Sequence, residues 1–363
     1  MKNSIGTSVV LTLSGESHGP MICAVLDGLA PGIPVDEEVV AAWLSRRRPQ
    51  GPADTARREK DAFSIVSGVF EGRTTGAPIT ILIPNEDVRS ADYARTMGLA
   101  RPSHADYAAH IKYAGYEDWR GGGHFSGRIT AGIVAAGAIA AAALKRKGIS
   151  VGTHILECAG VRDIPFDEID PSAQVESIQE MDFPVLSDVR GAMEARILEA
   201  KAARDSVGGI VQTAVCGFPA GVGEPWFGSV EGVLANALLS IGGIKGVEFG
   251  AGFSLAGMCG SEANDAYCVK DGRVLTSTNR SGGVNGGVSN GMPLIFNAVV
   301  KPTPSIGLPQ ASVDMSTGTE AELCISGRHD PAIVRRVSIV VSSLTAIVLC
   351  DLLAFHFGTD YLR

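Results

Sequence analysis

The sequence predicts an α+β protein, and three observations lead there. Short β-branched runs bounded by Gly and Pro recur along the chain, as at residues 9–13 and 21–26, the mark of strands closed by tight turns. Two long stretches, 129–144 and 332–355, are apolar with few polar interruptions and read as buried helices. The order of helices and strands after residue 150 echoes the order before it without any residue-level repeat, which makes an internal duplication a further expectation.

The first two strands flank the turn Gly15-Glu16-Ser17-His18-Gly19-Pro20, where the sequence places a histidine exposed by the turn. Its chemistry is acid–base work; the alternative is an ordinary surface histidine. A turn at Pro31 and Pro34 leads to a helix over 36–47, acidic in its first turn and ending in Arg46-Arg47-Arg48, as the helix dipole prefers. Those arginines read either as an anion grip or as a solvated helix end. Residues 50–58, rich in Gly, Pro and Asp, read as a mobile loop, and strands follow over 62–66 and 79–83.

Arg101-Pro102-Ser103-His104-Ala105-Asp106-Tyr107 sets a second histidine beside an arginine and a carboxylate able to tune it. Ser103 as a helix cap is the plainer alternative. Next comes Arg120-Gly121-Gly122-Gly123-His124-Phe125-Ser126-Gly127-Arg128, running into the alanine-rich helix 129–144. Three glycines allow positive φ and close approach by a ligand, and N–H groups at a helix start attract anions. Arginines at both ends suit oxyanions, while the missing Gly-Lys-Ser/Thr excludes a nucleotide P-loop. Sixteen positions fall short of the ~20 a bilayer needs, so this helix belongs to a core.

Further strands are expected over 151–158, 208–218 and 247–249, with helices over 188–204 and 228–241. Five glycines within 281–291 suggest close backbone approach to a ligand or subunit. Lys301-Pro302-Thr303-Pro304-Ser305 offers a cation and two hydroxyls on a stiff backbone, and Gly327-Arg328-His329-Asp330-Pro331 precedes the last helix. That helix carries Ser342, Ser343, Thr345 and Asp351, which suit a core or subunit interface better than lipid.

A chain of 363 residues, 45% hydrophobic, can bury a large core. Only 19% of residues are charged, and 45 are glycine, which points to loops and subunit contacts at the surface. The net charge of −8 excludes nucleic acid as the main partner while leaving small anions to the arginine clusters. Seven scattered cysteines without a C-x-x-C pair give no metal site and read as buried free thiols. With no secretory signal in the first residues, the expected location is cytoplasmic.

Taken together, these motifs resemble the chorismate synthase family along essentially the whole chain. The resemblance rests on the motifs at 15–19, 46–49, 101–107, 120–128, near 286, at 301–303 and at 327–331 in the same order. It implies one domain over 1–363, a β-α-α-β sandwich with long apolar helices between antiparallel sheets, and a homotetramer. It also implies conversion of 5-enolpyruvylshikimate 3-phosphate to chorismate by anti-1,4 elimination of phosphate, dependent on reduced FMN without net redox change. An external flavin reductase is the implied source of reduced FMN.

By motif, His18 matches the acid that protonates the departing phosphate, with Ser17 as its hydrogen-bond partner, and His104 balances charge on the reduced flavin. Asp330 matches the carboxylate near flavin N5, suited to receiving the substrate proton by way of the ring. Arg47, Arg101, Arg128 and Arg328 would hold the substrate's anionic groups, with Arg328 shared with FMN. His124, Phe125, Ser126, Gly286, Lys301, Pro302, Thr303, Pro304 and Ser305 match FMN contacts. The chain departs from many members at His124-Phe125 and Gly242-Gly243, and at Ala53 or Asp54 where a further arginine is usual. A net flavin oxidoreductase using NAD(P)H is the competing enzyme reading, disfavoured by the missing G-x-G-x-x-G. A non-catalytic phosphate-binding protein is the third.

Overall fold

The computed structural model describes residues 2–55, 60–86, 98–270, 272–325 and 330–363. Strands and helices mix as an α+β fold, with two antiparallel five-stranded sheets at its centre. The N-terminal sheet runs Ser4–Ile5, Val10–Ser14, Met21–Asp27, Ile79–Pro84, Ser64–Ser67 in spatial order. Alternation fixes its register: Ile22, Ala24 and Leu26 are buried, as are Ile79, Ile81 and Ile83 on the neighbouring strand, so one face is apolar. The second sheet runs Ile244–Phe249, Leu294–Val300, Gly209–Cys216, Ser150–Cys158, Val161–Arg162.

Two long helices pack against each other. Thr130–Arg146 lies on the N-terminal sheet, where a Cβ at Gly132 would touch Ala24 and Leu13 at 3.1 Å. Val334–Phe357 lies on the second, with Ser342 Oγ donating to Thr153 Oγ1 at 2.7 Å. The helices approach so closely that a Cβ at Gly137 would fall 2.3 Å from Ser343 Cβ. Gly152, next to Thr153, faces Val175 and Ile178. Successive strand residues point to opposite faces, so helix Ser172–Ile178 covers the outer side of this sheet. That accounts for the nearly continuous burial of Ser150–Cys158.

By length and composition, the stretches Gly127–Arg146 and Val334–Phe357 could each cross a membrane, but both are largely buried within the protein. Asp351 ties the last helix to the start of the chain. Its carboxylate accepts the backbone N–H groups of Thr7, Ser8 and Val9 at 3.0, 2.6 and 2.9 Å.

Several expectations change. The cysteines are free, yet only Cys158, Cys216 and Cys350 are buried, while Cys259, Cys268 and Cys324 are exposed. The described part of the 50–58 loop is pinned: Asp54 accepts from Gln50 N at 2.8 Å and pairs with Arg335 at 2.7 Å. Lys201 Nζ also donates to Pro52 O at 2.6 Å. Arg57 and Arg58 lie outside the described residues. Ser103 caps nothing, because helix Asp106–Tyr113 starts from Ala105 without a side-chain cap. This helix and the hairpins Tyr267–Lys270/Arg273–Thr276 and Gln310–Asp314/Thr319–Leu323 carry weak periodicity and were not legible as elements.

Candidate active site

The glycine loop turns as three glycines permit. Gly121, Gly122 and Gly123 have φ of 60°, 83° and 53°, in the region that L residues avoid. Gly123 also has ψ −126°, and a Cβ there would lie 2.0 Å from Asp118 O. Its carbonyl accepts Ser17 N–H at 3.0 Å, which joins the loop to the first turn. Ser126 Oγ then accepts Arg128 N–H at 3.3 Å and caps the short turn Gly127–Ile129 that leads into helix Thr130–Arg146.

Two histidines flank this backbone. A Cβ at Gly121 would sit 2.9 Å from Ser17 Oγ and 3.1 Å from His18 Nε2. One at Gly122 would sit 3.1 Å from His104 Cε1 and 3.4 Å from its Nε2. Adjacent residues are only 3.80 Å apart along the chain. The loop therefore serves as a thin wall touched by both imidazoles. His18 is 8% exposed, against the exposure its turn suggested, because the glycine loop closes over it. Ser17 is fully buried, and its Oγ has no hydrogen-bond partner among the described residues.

His104 Nδ1 meets Asp106 Oδ1 at 2.7 Å, and Arg101 holds the same carboxylate by Nε and Nη2, each at 2.7 Å. Burial pushes the Asp106 carboxyl up, but hydrogen bonds from Arg101 and His104 outweigh it and hold the group far below its ordinary value. Arg120 is committed to a neighbouring carboxylate: Nε and Nη2 both grip Asp118 at 2.8 Å.

The other arginines converge on a carboxylate that no motif marked. Asp61, fully buried in its side chain, pairs with Arg47 Nη2 at 2.8 Å and with Arg128 Nη1. Arg128 also donates to Asn85 Oδ1 at 2.7 Å and Pro84 O at 3.0 Å. Burial pushes the Asp61 carboxyl up, and the two guanidiniums more than reverse that. Burial lowers Arg47 in turn, with Asp61 opposing and the charges of Arg128 and Arg336 assisting. Arg47 is thus no solvated helix end. Asp330 pairs with Arg336 and accepts Thr55 N–H at 3.2 Å. Arg336 was missed, although two arginines opening a helix run against the dipole and were the available signal.

A cavity of about 300 Å³ opens beside the loop, with Arg101, His104, Gly122, His124 and Phe125 in its wall. His124 Nδ1 lies 2.8 Å from Gly15 O, and Phe125 meets Tyr113 edge-on with centroids 6.1 Å apart. Lys301 Nζ donates to Ser103 O, and Arg101 Nη1 to Ser305 Oγ at 3.4 Å, which brings the 301–305 segment to the His104 side. Within that segment, Pro302 is exposed and Pro304 half-buried. Thr303 O accepts from Ser206 Oγ at 2.7 Å. Gly243 O accepts Lys301 N–H at 2.9 Å, and a Cβ at Gly242 would lie 4.0 Å from Phe125 O. Gly286 stands apart on an exposed hairpin turn outside the cavity wall, and Arg328 lies outside the described residues.

The family model for chorismate synthase matches residues 9–354. The chain belongs to the chorismate synthase family. The chorismate synthase of Methanocella arvoryzae is 46% identical over 355 residues, covering 96% of this chain and 93% of its own. That of Thermococcus kodakarensis is 44% identical over 349 residues, covering 95% and 96%. A crystal structure of a chorismate synthase has a TM-score of 0.77 at 27% identity over 97% of this chain and 94% of its own.

The cavity can be tested against the flavin that chorismate synthases use. Its volume is at the lower end of small-molecule sites. Tyr113, Trp119 and Phe125 offer aromatic surface, and Gly15 and Gly122 leave the backbone open to a flat ring. Cations at Arg101 and Lys301 stand nearby for an anionic tail. These residues fit such a group.

Proposed function

We propose that this protein is a lyase that converts 5-enolpyruvylshikimate 3-phosphate to chorismate in the shikimate pathway, toward aromatic amino acids. The observation that carries the reading is the glycine pair with His18 beside Gly121 and His104 and Arg101 beside Gly122. It supplies a proton donor, a second imidazole and an anion grip around one thin backbone.

The reaction breaks the C3–O bond to phosphate and the C6–H bond on opposite faces, and the electrons form the new ring double bond. His18 gives its proton to the departing phosphate, and the buried Ser17 Oγ, without a partner among the described residues, is available beside it to hydrogen-bond there. Asp330, oriented by Arg336 and Thr55 N–H, holds the proton lost from C6. Arg47, Arg101, Arg128 and Arg328 neutralise the phosphate and two carboxylates of the substrate. Within this proposal His124, Phe125, Ser126, Lys301, Pro302, Thr303, Pro304, Ser305 and Arg328 would hold FMN and His104 would balance its charge, while Gly286, outside the cavity wall, is set aside. Reduced FMN, when bound, supplies transient electron density that is returned, leaving no net redox change.

The same reading takes residues 1–363 as one domain. It layers the helices Thr130–Arg146 and Val334–Phe357 between the two sheets as a duplicated sandwich, supported by the contacts at Gly132, Gly137 and Thr153. It also places the enzyme in the cytoplasm as a homotetramer served by a separate flavin reductase.

The test is anaerobic phosphate release from 5-enolpyruvylshikimate 3-phosphate with oxidised or chemically reduced FMN. Release with reduced FMN alone, with chorismate as product, is expected. Absence of release from folded, FMN-binding protein overturns the proposal, and NADPH oxidation without added reductase would point to the oxidoreductase instead.

A further inference from the structure

We infer that Asp106 is a positioning residue that acts through two others, fixing His104 with Nε2 toward the glycine loop and fixing Arg101 for an anion. The inference deepens the proposed function and rests on it. Asp106 opens helix Asp106–Tyr113, where the positive end of the helix favours a carboxylate. Oδ1 accepts from His104 Nδ1 and Arg101 Nη2, and Oδ2 accepts from Arg101 Nε and the Arg101 backbone N–H at 3.0 Å.

Four short bonds on two oxygens leave no room for a proton on the carboxylate. The imidazole must then keep its hydrogen on Nδ1 whether neutral or charged, and Nε2 becomes the atom that gains or loses a proton. That atom lies on the Gly122 side of the ring, 3.4 Å from where a Cβ at Gly122 would sit, next to Cε1 at 3.1 Å. Arg101 commits Nε and Nη2 to Asp106, which leaves Nη1, now 3.4 Å from Ser305 Oγ, as the arm free to meet an anion.

The charges around His104 come from several elements. Arg101 and Asp106 share its own turn, and Lys301 reaches Ser103 O from the end of strand Leu294–Val300. Glu16, Glu117, Asp118 and His124 share the cavity wall. Among the described residues, Asp106 is the carboxylate in direct contact with the ring.

Nuclear magnetic resonance of the ligand-free full chain, labelled with ¹⁵N-histidine, tests this. The expected wild-type spectrum shows neutral His104 protonated on Nδ1; protonation on Nε2 overturns the inference and requires no variant. In Asp106→Ala, with folding checked by circular dichroism, the preference of His104 for hydrogen on Nδ1 should be lost with its acceptor. His110, paired with Glu117 at 3.0 Å, serves as the control whose tautomer does not change. An unchanged Nδ1–H preference of His104 in folded Asp106→Ala also overturns the inference. In phosphate release, Asp106→Ala should lower kcat and move its pH profile while raising KM through Arg101. If wild-type protein releases no phosphate while the tautomer is as expected, the functional reading has failed and the positioning has not.

Discussion

Replacing Gly121 by Ala tests the wall between the two histidines. Two penalties can be separated. An L residue at φ 60° costs about 1–2 kcal/mol in backbone strain. The new methyl would also lie 2.9 Å from Ser17 Oγ and 3.1 Å from His18 Nε2, closer than such contacts sit, so these side chains must move by a few tenths of an ångström or more. Reaction geometry tolerates little of this, since a displacement near 1 Å costs about 100-fold in rate. Gly148→Ala supplies the control. Its φ is 73° and nothing lies within 4 Å of the added Cβ, so it carries the strain without the contact.

The expected result is that both variants lose about 1–2 kcal/mol in urea unfolding. Gly121→Ala alone should lose roughly 10- to 100-fold in kcat for anaerobic phosphate release with reduced FMN. Equal kcat in the two variants, or full activity in Gly121→Ala, would refute the idea that this glycine sets the position of His18.

Three further outcomes follow from the packing. Asp61→Asn strips the shared carboxylate from Arg47 and Arg128 and should cost about 3–5 kcal/mol in urea unfolding; a loss under about 1 kcal/mol would mean the arginines find other partners. Burial raises the Asp163 carboxyl, but bonds from His154, Ser187 and the Leu186 and Ile164 N–H groups lower it from 3.8 to about 2. Its stabilisation is therefore complete above the unfolded value and fades as pH falls from 3.8 toward 2. Melting temperatures of wild type and Asp163→Asn should differ near neutral pH and converge in strong acid, and a constant gap would contradict this. Gly137→Ala forces the two central helices apart at Ser343 and should cost at least about 1–3 kcal/mol, read by thermal unfolding.

Local chemistry was legible in the sequence wherever it depended on residue type. The glycine run announced positive φ, and all three residues adopt it. The alanine-rich and C-terminal helices announced burial by their lack of charge, and both lie within the core. Partners brought from afar were not legible. Asp61 sits in an unmarked Lys60-Asp61-Ala62, and only the fold carries it to Arg128, 67 positions away. Exposure of His18 was misread for the same reason: a turn is open until another loop covers it, and the Gly123 carbonyl that does so comes from far along the chain. The Arg335–Asp54 latch likewise spans 281 positions and turns a Gly- and Pro-rich stretch into an anchored one.

The grip of Asp351 on Thr7, Ser8 and Val9 has a consequence for the order of synthesis. At about 5–20 residues per second, the roughly 340 residues between these partners take on the order of 20–70 s to emerge from a ribosome. For that interval the first strands lack their closing contact, and the inner face of the second sheet waits for Val334–Phe357. The same late segment carries Arg336, whose partner Asp330 emerges just before it. A nascent chain halted before residue 334 should therefore stay open and depend on chaperones.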